Sequence, residues 1–180
     1  ICFVPEGNYA DIVRKLRPGS IDAGNIIDVD GKVLGKHNGI IDYTIGQRKG
    51  IGIGGRKGIA DEETVLYVIA LDSKNNNVIV GPRKLLACKK IKITECNWII
   101  DQPKKSKFRV LVKLRNSSKP VDAEVVVNFK TGLSNLYFDE PQFGVSTGQA
   151  AVFYNTEECS HVLGGGWISE APNMASLAQH

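Results

Sequence analysis

The sequence predicts a mainly β protein of two units, the second a small closed barrel or sandwich. Three observations carry that reading: nineteen glycines in 180 residues, many short β-branched runs bounded by turn residues, and few helical signals. A hydrophobic content of 42% is enough for a real core, and the length accommodates one domain or two small ones. No apolar run approaches the roughly 20 residues needed to cross a bilayer, and Ile1 to Pro5 is too short for a signal-peptide core, so the reading is soluble and cytoplasmic with no membrane partner.

In chain order, Asn8 can cap a short helix from Tyr9 to Leu16, with Asp11 in its first turn and Pro18-Gly19 as its stop. Ile26 to Val29 and Lys32 to Leu34 flank Asp30-Gly31, a dipeptide that accepts positive φ at both turn positions, which predicts a β-hairpin. Ile40 to Ile45 reads as a strand leading into the glycine-rich stretch Gly46 to Gly55. Thr64 to Leu71 and Val78 to Val80 form a second hairpin across Ser73 to Asn77, and Gly81-Pro82 marks a domain boundary. Seven short strands follow: Lys89 to Ile93, Asn97 to Ile100, Phe108 to Leu114, Glu124 to Phe129, Asn135 to Phe138, Ala150 to Tyr154 and His161 to Ile168. The tail from Ala171 to His180 has few anchors and reads as flexible.

Charge is segregated along the chain. Between Arg83 and Lys119 stand twelve basic residues against Glu95 and Asp101, whereas residues 120 to 180 carry Lys130 against seven carboxylates. A basic block of this kind attracts a polyanion by counterion release, and it equally solvates a sheet edge; the charges alone leave both open. Cys2, Cys88, Cys96 and Cys159 form no CxxC pair and have no histidine at zinc-ligand spacing, so no metal site is expected, and the last three read as small buried side chains. Gly50, Gly52 and Gly55 match GxGxxG, with Asp72 at the spacing of a ribose contact. A dinucleotide site needs a helix directly after the glycines, and Arg56 to Glu63 carries no apolar stripe, so that reading is set aside. What remains is a glycine-rich loop whose Arg48, Lys49, Arg56 and Lys57 either approach phosphate or are solvated.

Five segments together resemble the tRNA-specific 2-thiouridylase family: Ile1-Cys2-Phe3-Val4-Pro5, Tyr43 to Gly55 (YTIGQRKGIGIGG), Leu66-Tyr67-Val68, Phe138-Asp139-Glu140-Pro141 and Gly148 to Tyr154 (GQAAVFY). The likeness is collinear from Ile1 to Ile168. It implies that residues 1–5 end a missing ATP-pyrophosphatase domain with an SGGxDS phosphate loop and a first catalytic cysteine. It also implies that 6–82 is a central β-rich domain with one short helix, and that 83–170 is a small antiparallel β-barrel that binds tRNA. The start on Ile1, within an apolar run and without an initiator methionine, agrees with a piece of a longer polypeptide.

The activity implied is ATP-dependent adenylation of the C2 oxygen of wobble uridine 34, then its replacement by persulfide sulfur with AMP leaving. ATP with magnesium would be bound by the missing domain, and no cofactor is expected in this chain. Cys2 matches the persulfide-bearing cysteine, whose chemistry requires a nucleophilic thiolate. Its terminal sulfur either attacks C2 or is released as hydrosulfide when the first cysteine attacks, leaving a disulfide. The partners implied are a tRNA anticodon stem-loop, with its base turned out of the stack, and a persulfide sulfur-donor protein. An Arg-Tyr pair of the family maps to Arg115-Asn116, where asparagine removes the stacking ring, and the glutamine of the family's Gly-Gln segment maps to Gln149, which on local grounds could also be a capped strand-start residue. Arg48 and Lys49 would approach phosphate. The competing reading is a non-catalytic RNA-binding β-barrel module with Cys2 incidental.

Overall fold

In the computed structural model, residues 22–53, 65–99, 105–115, 118–156 and 161–173 are described. Cys2, the expected helix from Tyr9 to Leu16, Asn116, Cys159, Arg56, Lys57 and most of the tail lie outside them. The chain divides into two units, Ile1–Leu85 and Leu86–His180.

The described part of the first unit is a four-stranded sheet of order β2-β1-β4-β3, with β1 (Gly24–Asp28), β2 (Val33–His37), β3 (Leu66–Asp72) and β4 (Asn77–Pro82). Both predicted hairpins form, and β1 lies parallel to β4. The first turn differs from expectation in detail: Gly31 has φ 84°, but Asp30 is not in the left-handed region. Asp28 explains this. Its carboxylate accepts the amides of Asp30 (3.0 Å) and Lys32 (2.8 Å), and its carbonyl accepts Gly31 N–H (3.1 Å), which makes a one-glycine turn with a three-residue loop. Asp72 does the same at the second turn, accepting Lys74 N, Asn75 N and Asn75 Nδ2. Its carboxylate is thereby used in a turn, as the rejection of a ribose contact requires.

The strand expected over Ile40 to Ile45 is instead a 3-10 turn, Ile40–Asp42. A strand would point Ile40 and Ile41 to opposite faces. In the turn, both meet the cluster of Ile26, Ile51, Val68, Val78 and Val80. His37, buried at the end of β2, holds this region. Its Nε2 lies 3.0 Å from the Asn76 carbonyl and its Nδ1 accepts Gly39 N–H at 3.1 Å, which fixes a neutral ring with the proton on Nε2.

The second unit is a closed six-stranded barrel, all antiparallel, of order β10-β5-β8-β7-β6-β9. Its strands are β5 (Ala87–Trp98), β6 (Lys107–Lys113), β7 (Val121–Asn128), β8 (Leu133–Phe143), β9 (Ala150–Tyr154) and β10 (Val162–Glu170). Seven strands were expected; Lys89 to Ile93 and the start of the one expected over Asn97 to Ile100 lie on one continuous β5, which ends at Trp98, and Ile100 is outside the described residues. The apparent break is a bulge in which Glu95 takes φ 53° and Glu95-Cys96 face Gly166 alone. Gly166 is needed there, because a Cβ would lie 2.6 Å from both Ile93 Cγ2 and Thr94 O. Alternate residues of every strand fill the interior, with Ile91, Ile93, Val110, Val112, Val125, Leu136, Phe153 and Ile168 essentially sealed from solvent.

Two stability changes follow. His37→Ala strands the Gly39 amide and the Asn76 carbonyl and should lower unfolding free energy by about 2–3 kcal/mol in urea titrations. Gly166→Val should cost more than about 3 kcal/mol or prevent barrel formation, read as loss of the cooperative transition.

Candidate functional site

The barrel strands place Arg115 and Gln149 on one open groove of about 490 Å³, together with Lys113, Ala150, Val152 and Tyr154. Arg115 leaves β6 in a tight turn: Ser118 N–H (3.2 Å) and Ser118 hydroxyl (3.0 Å) both reach the Arg115 carbonyl. Its guanidinium Nη2 donates to the Gly144 carbonyl and lies 3.5 Å from that of Phe143. The side chain thus ties the end of β6 to the end of β8 through one nitrogen, and a guanidinium has further N–H groups to offer. A second depression of about 80 Å³ shares Arg115 and adds Lys119. The residues lining the two include three cations and no carboxylate.

Gln149 stands just before β9, where two backbone bonds fix its segment to β10: Gly148 N–H to Ile168 O and Ile168 N–H to Gln149 O, both 2.8 Å. It is a strand-start residue, but not a capped one. Its Oε1 is buried with no hydrogen-bond partner among the described residues. An amide oxygen in that state is costly unless a donor reaches it, and the residue that carries it lines the groove.

Arg48 and Lys49 lie in the first unit, both exposed, on a loop whose backbone is anchored to β3. Gly46 N–H donates to Val68 O (2.8 Å) and Val68 N–H to Gln47 O (2.9 Å), while the Gln47 side chain accepts Thr44 N–H and donates to Lys49 O, each at 3.0 Å. Tyr43 closes the loop with a hydroxyl bond to Ile51 O at 3.2 Å, and burial, then the Asp42 charge, raises its pKa. The structure brings Arg115 and Gln149 together; Arg48 and Lys49 belong to the other unit.

The basic block is rearranged by folding. Three of its members pair with carboxylates from the acidic last third: Lys92 with Glu170 (2.8 Å), Lys107 with Glu124 (3.0 Å), and Arg109 with both oxygens of Asp139 and, at 3.7 Å, with Asp122. The Arg109 hydrogen bonds hold the Asp139 carboxyl below its usual range. Lys90 lies 5.3 Å from the Tyr137 ring centre. Lys113, which lines the groove, has no ion pair among the described residues. Lys113 and Tyr154 were not singled out in the sequence. Their pairing positions in β6 and β9, Lys113 opposite Val152 and Leu111 opposite Tyr154, could have been found only from the register. Cys88 and Cys96 are poor nucleophiles, since burial raises both thiols, with Cys88 donating to Lys90 O and Cys96 to Ser134 Oγ.

Comparison with known proteins fits this arrangement. The family model described as "tRNA methyl transferase PRC-barrel domain" matches residues 11–82, and that described as "Aminomethyltransferase beta-barrel domain" matches residues 88–168. A PRC-barrel-type domain followed by an aminomethyltransferase-type β-barrel is therefore the class of protein in hand. Among its relatives, the tRNA-specific 2-thiouridylase MnmA of Paracoccus denitrificans is 48% identical over 169 residues, 94% of this chain and 41% of the relative. That of Sphingopyxis alaskensis is 48% identical over 170 residues, again 94% and 41%, and that of Rhodospirillum centenum 45% over 184 residues, 99% and 44%. The chain belongs to the tRNA-specific 2-thiouridylase family, across the region the two domain models describe. It spans about two fifths of the length of the curated relatives it matches.

If the groove rather than the whole basic block holds a polyanion, Lys113→Ala should weaken RNA retention by about 1 kcal/mol and flatten its salt dependence, whereas Lys107→Ala should change it by less than about 0.5 kcal/mol. Filter binding at two salt concentrations measures both.

Proposed function

We propose that this chain is the tRNA-holding and sulfur-carrying part of a tRNA-uridine 2-sulfurtransferase that replaces the C2 oxygen of wobble uridine 34 with sulfur. The observation that carries the reading is the cationic groove of Lys113, Arg115 and Gln149, with its unpartnered amide oxygen, in a chain of this family. Arg115 and Lys113 take phosphate of the anticodon stem-loop, and Gln149 contacts RNA from the same groove. Arg48 and Lys49 meet backbone phosphate from the first unit, held by a loop that is already ordered by its bonds to β3. Asn116 adds hydrogen bonding where the family has an aromatic ring.

Cys2 carries the sulfur as a persulfide, loaded by a donor protein, and hands its terminal sulfur to the base. ATP with magnesium belongs, on this reading, to a domain outside this chain and supplies activation of the uridine oxygen. In the glycine-rich loop the amides of Gly46 and Gln47 are committed to the Val68 and Thr44 carbonyls and are not free to cradle phosphate. No helix among the described residues is long and apolar enough to cross a membrane, and the reading places the enzyme with tRNA in the cytoplasm.

The test compares two proteins. In the complete enzyme, Cys2→Ser should keep tRNA-dependent release of pyrophosphate and lose 2-thiouridine, read by mass spectrometry of digested tRNA. Thiolation at the parental rate by that variant would overturn the assignment. This chain alone should bind tRNA and thiolate none. Binding by a complete protein that never thiolates would leave the RNA-binding module as the function.

A further inference from the structure

One outer face of the barrel remains unexplained by the groove residues alone. The register of β9 with its two neighbours arranges that face in rows. Ala150 pairs with Trp167 of β10, Val152 pairs with Gly165 on one side and Lys113 of β6 on the other, and Tyr154 pairs with Val162 and Leu111. Residues paired across a sheet share a face, so Trp167 stands on the same outer surface as the groove floor of Ala150 and Val152.

The two tryptophans of the chain have opposite fates. Trp98 packs against the rings of Phe108 and Phe153, at centroid distances of 5.7 and 5.5 Å. Trp167 is left 51% exposed, and its carbonyl accepts Thr94 Oγ1 at 3.4 Å. Its neighbours on the side of β9 are Ala150 and Gly165, which leave little side chain beside it. Lys113 and Arg115 line the groove to which Ala150 belongs. Only β9 separates β10 from β6, two inter-strand spacings or about 10 Å along the sheet.

We propose that the outer face of β6, β9 and β10 is a stacking platform for one unpaired nucleotide of the bound RNA, whose base lies on Trp167 and whose phosphate meets Lys113 and Arg115. The chemistry selects this occupant. An exposed indole on the same outer face as two cations, one strand removed from theirs, and beside a groove whose residues include no carboxylate, suits a π-faced anion, which an unstacked nucleotide is. A paired duplex hides its base faces and would use the cations alone. The platform also supplies an aromatic ring in a protein whose position 116 is asparagine. This inference rests on the tRNA-holding reading above and deepens it.

The test uses the 180-residue chain as Trp98→Phe, which leaves Trp167 as its sole tryptophan, and an anticodon stem-loop RNA as probe. Binding should quench the indole emission saturably. Trp167→Ala should weaken binding about tenfold while leaving the slope of log affinity against log salt unchanged, and Trp167→Phe should restore most of the loss. Lys113→Ala should instead lower that slope by roughly 0.7–0.9. A blunt duplex of the same length should neither quench nor respond to Trp167→Ala. Parental affinity for Trp167→Ala with unaltered thermal stability, or equal quenching by the duplex or by heparin, would overturn the platform. Failure of the parental chain to bind the stem-loop at all would instead overturn the tRNA-holding reading, and the platform with it.

Discussion

The barrel depends on one strand serving two partners. β5 pairs with β8 from Ala87 to Ile93 and with β10 from Lys92 to Trp98, so it joins β8 to β10 and closes the sheet. A bulge at Glu95 bends the strand within its β10 pairing, and the glycine opposite supplies the room. Closure removes the exposed sheet edges that short β-branched strands would otherwise offer to other chains. It also fixes the order β10-β9-β6, and with it the face on which Lys113, Gln149, Ala150 and Trp167 meet.

Closure redistributes charge as well as chain. Strands of the basic stretch lie beside strands of the acidic last third, so Lys92, Lys107 and Arg109 meet Glu170, Glu124 and Asp139 across the ladder. Such surface pairs contribute little to stability, but they lower the local positive potential. Among the cations left, Lys113, Arg115 and Lys119 line depressions whose residues include no carboxylate. A linear count of charge therefore does not show which cations are paired.

The two units are built differently around what they present. In the first, Arg48 and Lys49 sit, exposed, on a loop tied to β3 by the Gly46–Val68 and Val68–Gln47 backbone bonds. In the second, the barrel presents side chains from strand ends, where Arg115 has one guanidinium nitrogen committed to the fold and others available. Rigid presentation of a few long cations from fixed backbone is suited to a shaped polyanion such as folded RNA, since little ordering remains to be done on binding.

Most of the strands were legible because period-two apolar runs and glycine, asparagine or aspartate turns are local signals, as at Asp28 to Lys32 and Asp72 to Asn75. The family and its expected site residues were legible as well, because ordered segments such as YTIGQRKGIGIGG stand in the linear text. Ile40 to Ile45 was misread because two adjacent isoleucines both find the same core, a fact about packing rather than pattern. β5 was divided in two because a left-handed Glu95 reads as a turn until a facing glycine shows that pairing continues. By itself the sequence determined the β class, the turns and the family. Only the tertiary structure decided which charges cancel, that Gln149 Oε1 is buried without a donor among the described residues, and that Trp167 stays outside on the face it shares with Ala150 and Val152, because each depends on cross-strand register between segments far apart in the chain.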